Sequence, residues 1–180
     1  KYFKNCKTRG IYMIHLVNGQ GQVGHALQEY TDGRFFDHEA YIYHTWKPWD
    51  KSKNIQKEEY FKFKTFVDKH RKDRIIFVST YSQNNNYYVH YKQKAEAYLL
   101  THCTDGLVVR LPNLVGKKGI LKKFKDNLAI PYGTLELMKV EQAVEKITDL
   151  VDYEGLVKVH TVKGEKVSAD LVNEIIKNAL

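Results

Sequence analysis

Hydrophobic positions along this chain follow two rhythms, which predict strands and helices in alternation. Apolar runs of strand length occur at residues 11–17, 40–46, 74–80, 107–116 and 156–162. Segments with apolar residues three and four positions apart, the spacing of an amphipathic helix, occur at residues 22–30, 58–70, 88–103 and 140–151. Strands that alternate with helices predict an α/β fold with a parallel sheet.

Weaker local signals complete this pattern. Residues 31–33 read TDG, a turn signal, and residues 34–36 (RFF) predict a short additional strand. Ser168 is suited to cap a last helix, which is predicted to bury Leu171, Val172, Ile175 and Ile176. The 180 residues suffice for one domain with its own core, so we expect a single domain over residues 1–180.

Composition narrows the class of protein. A hydrophobic fraction of 43% with 13% aromatic residues favours a folded globule over a disordered chain. The apolar runs are too short for a membrane-spanning helix and no secretory signal is visible, so we expect no membrane partner and a cytoplasmic setting. The two cysteines, Cys6 and Cys103, are far apart and predict neither a disulfide framework nor a metal site.

The formal net charge of +8 fits either a nucleic-acid partner or smaller phosphate-bearing ligands. The densest lysine cluster, at residues 117–125, has helical spacing and is interpreted as a solvated helix face. No aromatic-basic motif of a nucleic-acid-binding module is present. We therefore expect a small phosphate-bearing ligand rather than nucleic acid.

A glycine motif supplies a place for such a ligand. Gly19, Gly21 and Gly24 have the spacing G-x-G-x-x-G, directly between a predicted strand and a predicted helix. In that context the first glycine permits a tight turn, and the second lets the backbone approach a pyrophosphate. The third lets helix and strand pack closely, while the helix N-terminus faces the negative charge. The motif therefore predicts dinucleotide binding.

Five segments in order resemble the extended short-chain dehydrogenase/reductase family, whose best-known members act on nucleotide sugars. They are IHLVNGQGQVGHAL, AYIYHTW with KNIQKEEYFKF, IIFVSTYS, YVHYKQKAEAYLL and VVRLPNLVG. The QVG of the first segment is similar to the dTDP-4-dehydrorhamnose reductases of that family. The resemblance implies a compact Rossmann-like fold, a three-layer parallel sheet flanked by helices, with a reduced C-terminal substrate lobe.

The resemblance also implies a catalytic group of Thr80, Tyr88 and Lys92, with Ser79 as the alternative to Thr80. A lysine at i+4 lies on the same helix face as the tyrosine and places a cation beside the phenol, which is expected to lower its pKa. The hydroxyl at the strand end would hydrogen-bond the reacting oxygen. The register is open, because Tyr87 and Tyr91 flank Tyr88, and His90 would be the partner if Lys94 were the lysine. Only Tyr88 with Lys92 keeps Glu96 and the following leucines in the family spacing.

The cofactor implied is NAD or NADP. The residues that the resemblance assigns to it are Gly19, Gly21, Gln22, Val23, Gly24, Asp37, His44, Thr45, Lys92 and Pro112. Asp37, or alternatively Glu39, is the nearest candidate for the carboxylate that holds the adenosine ribose, although both come early after the glycines. Arg34 would instead favour a 2′-phosphate.

Two departures from the family pattern shape the functional hypotheses. The loop after Thr80 is short, and the segment between the glycine turn and residue 40 is compressed, as if a strand–helix unit were missing. The leading hypothesis is an NAD(P)-dependent oxidoreductase or epimerase acting on a nucleotide sugar, with a keto-reductase preferred. The alternative is a trimmed, non-catalytic dinucleotide-binding or regulatory module. Family members often pair through helices, so a homodimer is a further expectation.

Overall fold

The computed structural model describes residues 12–17, 21–116, 124–126 and 133–178. Its strands are β1 (Ile14–Val17), β2 (Ala40–Tyr43), β3 (Arg74–Thr80), β4 (Asp105–Leu111), β5 (Asn113–Val115), β6 (Thr134–Lys139), β7 (Val159–Thr161) and β8 (Glu165–Ser168). The helices within these ranges are α1 (Gln22–Thr31), α2 (Lys53–Lys69), α3 (Tyr87–His102), α4 (Val140–Thr148) and α5 (Ala169–Asn178).

The main sheet has five strands in the order β1-β2-β3-β4-β7, and every neighbouring pair is parallel. Its strands are apolar on both sides, as expected for a parallel sheet that is covered by helices on both faces. Residues at even positions of β3, such as Ile76, pack against α1 and α4, whereas Ile75 and Phe77 pack against α2 and α3. The predicted three-layer, Rossmann-like α/β fold is confirmed.

The first crossover of this sheet differs in hand from the next two. Strands β1 to β4 follow one another across the sheet in chain order, yet α1 covers one face while α2 and α3 cover the other. The β1–α1–β2 unit must therefore have the opposite hand from β2–α2–β3 and β3–α3–β4. Parallel crossovers are right-handed in about 98% of cases. This exception is the geometry expected if a strand–helix unit is missing between α1 and β2, as the compressed sequence predicts.

This arrangement keeps the crevice at which such folds bind ligands. Helices that follow adjacent strands and leave toward opposite faces separate the loops at the carboxyl edge of the sheet. Here that separation falls between the chain after β1 and the chain after β2. β1 is the edge strand of this sheet and lies beside an open groove of about 1070 Å³ whose wall includes Met13 and Phe35.

A second, smaller sheet forms the lobe predicted for the C-terminal third. Pro112 cannot donate a backbone hydrogen bond, and the predicted strand 107–116 breaks there into β4 and β5. β5 pairs with β6 in parallel and β8 pairs with β6 antiparallel, so β5 lies in a different sheet from β4. Phe124, Leu137 and Val172 give this lobe a small core of its own. Strands β6 and β8 were not among the predicted strands.

Several element boundaries differ from the predictions. β2 ends at Tyr43, three residues before the predicted end, and α2 begins at Lys53 rather than residue 58. Residues 34–36 form no strand; Phe36 makes a single antiparallel bridge to Tyr12.

At the last helix, the Ser168 hydroxyl accepts a hydrogen bond of 3.2 Å from the Leu171 N–H, so the predicted cap is present. Val172 is fully buried, but Leu171 is 48% exposed and does not join the core. The predicted burial of Leu171 was therefore wrong. The side chains of Ile175 and Ile176 lie outside the described residues. Across the described residues, no helix is both long and apolar enough to span a membrane.

Candidate functional site

A cleft of about 360 Å³ opens at the carboxyl edge of the main sheet, at the crevice between β1 and β2. The first turn of α1, the ends of β3 and β4, and α3 all contribute to it. The residues of its wall are Gln22, Val23, His44, Trp46, Pro48, Lys51, Val78, Ser79, Thr80, Ser82, Asn84, Asn86, Tyr88, Val89, Lys92, Leu111, Pro112, Asn113 and Leu114. Most of the predicted catalytic and cofactor residues therefore share one cavity.

The N-terminus of α1 lies at this cleft, since Gln22 and Val23 form part of its wall. Gly21 is the N-cap residue and has no side chain with which to cap the helix, and the first turn has no acidic residue. The first N–H groups of a helix have no partner within it and attract anions. A Cβ atom added to Gly21 would have no heavy atom within 4 Å, so the space above the turn is open. Gly24 is buried inside the helix, whereas Gly19 lies outside the described residues.

Lys92 is held at the floor of the cleft and is only 3% exposed. Its Nζ atom donates a hydrogen bond of 2.6 Å to the carbonyl oxygen of Val78. The same atom lies 4.7 Å from the centre of the Trp46 ring and 4.5 Å from that of Phe77. Because burial penalises the charged amine, the pKa of Lys92 is lowered to about 7. A substantial part of this side chain is therefore neutral at physiological pH.

Tyr88 lies one helical turn before Lys92, and its ring centre is 6.0 Å from the lysine Nζ atom. Burial raises the pKa of Tyr88 to about 12, opposite to the expected lowering by the lysine. The reason is that desolvation opposes phenolate formation, while Lys92 is itself too buried to be fully charged. The alternative registers would use His90 with Lys94, or a tyrosine beside Tyr88. His90 and Lys94 are exposed, and Tyr91 packs against α2, so they differ from the buried Tyr88–Lys92 pair.

Two polar atoms in the wall of the cleft are buried without a hydrogen-bond partner among the described residues. They are the Ser79 Oγ atom and the His44 Nε2 atom. Burial, followed by the nearby charge of Lys92, lowers the pKa of His44 to about 4, so its ring is neutral. Thr80, by contrast, accepts a hydrogen bond of 3.2 Å from the Ser82 N–H. Unpaired buried groups are costly in a folded protein, which marks this region as a place for a ligand or water.

A second cavity, of about 560 Å³, adjoins the first and shares Thr80 and Pro112 with it. Its far wall is built by the small lobe and carries Glu136 and Lys166. The hydroxyl of Tyr81, which also lines it, is buried without a partner among the described residues. The two cavities together form a polar channel from the N-terminus of α1 to the lobe.

Three residues proposed for the adenosine end do not reach this channel. Asp37 and Glu39 precede β2 and lie at the amino edge of the sheet, whereas the glycine turn follows β1 at the carboxyl edge. The backbone N–H of Asp37 donates to Asp152 there at 2.8 Å. Arg34 stacks on the Tyr30 ring at the far end of α1, with its guanidinium carbon 3.6 Å from the ring centre. The number of residues between the glycines and Asp37 did not reveal at which edge of the sheet Asp37 lies.

Trp46, which lies beside Lys92, and its hydrogen-bond partner Gln56 were not identified from the sequence. Trp46 was assigned to a strand, but it lies beyond the end of β2 and lines the cleft. Gln56 is fully buried beneath it, although its polarity removed it from the hydrophobic pattern of α2. One sequence signal could have identified Trp46. It is a bulky aromatic residue directly after His44 and Thr45, at the end of a strand that was predicted to face the cofactor.

Solved structures with the same fold were found, although no protein-family model and no curated protein matches the sequence. UDP-N-acetylglucosamine 4-epimerase from Bacillus cereus is similar at a TM-score of 0.76 and 13% identity, covering 94% of this chain and 82% of that chain. A dTDP-4-dehydrorhamnose reductase from Bacillus anthracis, solved with NADP, has a TM-score of 0.74 at 14% identity over 94% of this chain and 81% of that chain. The Bordetella bronchiseptica enzyme WbmG, solved with NAD, has a TM-score of 0.68 at 14% identity over 98% and 80% respectively.

The fold is thus the one seen in these epimerase and reductase structures. This agrees with the resemblance seen in the sequence motifs. At 12–15% identity the likeness establishes the fold alone, so the chemistry must be argued from the cleft itself.

Proposed function

We propose that this chain binds NAD or NADP in the cleft and catalyses an oxidoreductase or epimerase reaction on a nucleotide sugar through Thr80, Tyr88 and Lys92. The observation that carries the proposal is the shared cavity, in which Gln22 and Val23 at the N-terminus of α1 line the same wall as Tyr88 and Lys92. The similar structures support the class of reaction, since they include enzymes of this kind with NAD or NADP bound.

The residues of the cleft fit a dinucleotide. Gly21, Gln22 and Val23 would bind the pyrophosphate with backbone N–H groups, and Gly24 would allow α1 to pack close to β1. The open space above Gly21 leaves room for the phosphates. At the other end, His44 and Thr45 after β2, Lys92 on α3 and Pro112 after β4 would surround the nicotinamide and its ribose. The unpartnered His44 nitrogen supports this, because a bound polar group would satisfy it.

The protein groups would divide the proton chemistry among themselves. When bound, the nicotinamide supplies or accepts the hydride. Tyr88 would transfer the proton at the substrate oxygen, Thr80 would orient that oxygen by a hydrogen bond, and Lys92 would hold ribose hydroxyls with its remaining N–H donors. Ser79 is the alternative hydroxyl, because its Oγ atom is unpaired and lines the same cavity.

Reduction of a keto sugar is the preferred direction. The raised pKa of Tyr88 keeps its hydroxyl protonated at neutral pH, which is the form needed to give a proton to a developing alkoxide. The substrate would occupy the adjoining cavity toward the lobe, where Asn113, Glu136 and Lys166 offer polar contacts. A homodimer and a cytoplasmic setting remain expectations from the resemblance and the composition.

Titration with NADH and NADPH, followed by nicotinamide fluorescence, tests the cofactor part. We expect saturable binding of at least one of them, and no binding of either would contradict the proposal. Tyr88→Phe is then expected to reduce turnover of a nucleotide 4-keto sugar by at least 100-fold, the scale of a lost proton donor, with little change in cofactor affinity. Tyr87→Phe, at the exposed neighbouring position, is the matched control.

A non-catalytic dinucleotide-binding module is the second candidate. The short connection between β3 and α3 and the small three-stranded lobe favour it, because both form the wall of the substrate cavity. Binding of the dinucleotide without turnover of any nucleotide sugar, and without an effect of Tyr88→Phe, would select this candidate over the enzyme.

A further inference from the structure

The amine of Lys92 lies in an aromatic cage. The rings of Trp46 and Phe77 approach its Nζ atom from two sides, with centre distances of 4.7 Å and 4.5 Å. The only hydrogen bond that the described residues give it goes to the Val78 carbonyl oxygen. Phe77 belongs to β3 and is buried in the core at 0% exposure, whereas Trp46 lies beyond the end of β2.

Trp46 is hydrogen-bonded to one buried glutamine, and its ring also packs near Phe63 and Phe77. Its indole Nε1–H donates a hydrogen bond of 2.6 Å to the side-chain oxygen of Gln56. The amide nitrogen of Gln56 in turn donates to the carbonyl oxygens of Lys47, at 2.8 Å, and of Asp50. Gln56 is 0% exposed, and its amide ties the indole and the loop after it to the start of α2. A buried amide with all these partners is a rigid connection.

We propose that Gln56 is a positioning residue for Lys92: it holds Trp46 over the amine and so keeps that amine in a dry cage. Without this hydrogen-bonded connection, the loop from residue 47 to residue 50 loses its attachment to α2, and the indole can leave the amine. Water then reaches Lys92 from the cleft, and the charged form of the amine is stabilised.

The charges around Lys92 agree with a cage that acts by excluding water. Glu96 on its own helix and Glu59 on α2 both raise the pKa of Lys92, yet burial outweighs them. Glu96 is engaged with Arg110 at 2.5 Å, and Glu59 with Lys62 at 3.4 Å. His44, after β2, is neutral, and Tyr88 is protonated. Within the part of the chain that the structure describes, no group facing the amine lowers its pKa as strongly as desolvation does.

The role in catalysis rests on the proposed function, because it assumes that Lys92 serves the cofactor and Tyr88. The position of the amine and its protonation do not depend on that assumption. Both can be measured in the cofactor-free protein, so failure of this inference and failure of the proposed function give separate results.

The experiment is an NMR titration of protein carrying ¹³C-labelled lysine, with the Lys92 signal assigned by its loss in Lys92→Met. We expect this signal to titrate near pH 7 in the unaltered chain. In Gln56→Met, which keeps the length of the side chain but removes its hydrogen bonds, the midpoint is expected to rise by at least one pH unit. Trp46→Phe, which removes the indole N–H, is expected to shift it in the same direction and covers the case in which Gln56→Met does not fold.

Tryptophan fluorescence reports the position of the indole independently. The chain has two tryptophans, and in a Trp49→Phe background the emission comes from Trp46 alone. Gln56→Met is expected to move that emission to longer wavelength as water reaches the ring. Gln93→Met, at an exposed glutamine beside Lys92, is the matched control and leaves both signals unchanged. A Lys92 midpoint that stays in place in both folded variants, or one that lies near the ordinary lysine value in the unaltered chain, overturns the inference.

Discussion

Replacing Lys92 by methionine should change how the stability of this protein depends on pH. The folded chain lowers the pKa of Lys92 from 10.5 to about 7, while the unfolded chain leaves it at its ordinary value. At a pH between these two pKa values, the Lys92 amine is protonated in the unfolded chain and deprotonated in the folded chain. The free energy of unfolding therefore rises with pH across this window, because stability increases with pH wherever the unfolded state binds more protons.

The size of the effect follows from the same two values. A difference of one pH unit in pKa is worth about 1.4 kcal/mol, so the full change approaches roughly 5 kcal/mol between pH 6 and pH 11. Between pH 7 and pH 9.5, where both states are only partly titrated, the rise is about 3 kcal/mol. Lys92 is almost fully buried, so solvent screening does not reduce this value greatly.

Denaturant unfolding at pH 7, 8.25 and 9.5 measures this rise in the unaltered chain and in Lys92→Met. The difference in unfolding free energy between the two should grow by about 3 kcal/mol in favour of the unaltered chain across the series. Effects of overall charge are nearly the same in both proteins and cancel in the difference. Lys94→Met, at an exposed position on the same helix, should give a flat difference. A flat difference for Lys92→Met as well would refute the burial of a low-pKa amine at this position.

Two glycine substitutions separate ligand binding from packing. In Gly21→Ala the added methyl has no heavy atom within 4 Å and the backbone φ is −87°, so unfolding free energy should change by less than about 1 kcal/mol. Dinucleotide affinity should nevertheless fall, because the methyl occupies the approach to the backbone donors; an unchanged affinity in the fluorescence titration would contradict the pyrophosphate assignment. In Gly164→Ala the methyl would collide with the Leu137 carbonyl oxygen in β6, so denaturant unfolding should show a loss of about 1–3 kcal/mol. No loss there would mean that the loop before β8 is packed differently.

Much of the cleft was predictable because its parts are local in sequence. Tyr88 and Lys92 are four residues apart on one helix, and Gly21 and Gly24 are three apart at a strand-to-helix turn. Such spacings determine which side chains share a face as soon as the helix forms. The register with Lys94 was open from spacing alone. The burial of Lys92 and the exposure of Lys94 favour the pairing of Tyr88 with Lys92.

The residues at the adenosine end illustrate what local spacing misses. In such folds the carboxylate that holds the adenosine ribose lies at the carboxyl edge of the sheet. Asp37 could reach that edge only if a further strand carried the chain back to it. In this chain α1 leads directly to the amino edge, where Asp37 pairs through its backbone with Asp152. The direct connection from α1 to β2 therefore places Asp37, a candidate cofactor-binding residue, at the opposite edge of the sheet from the cleft.

The sequence by itself determined the alternation of strands and helices, the start of α1 after Gly21 and the helix face that Tyr88 shares with Lys92, since each depends on spacing within a few residues. Only the tertiary structure decided the hand of the first crossover, the division of the chain after Pro112 into two sheets, and the raised and lowered pKa values in the cleft. These depend on which elements meet in space and how much water they exclude. Trp46, whose ring lies against the Lys92 amine, and its hydrogen-bond partner Gln56 are 46 and 36 positions from Lys92 along the chain and share no sequence pattern with it.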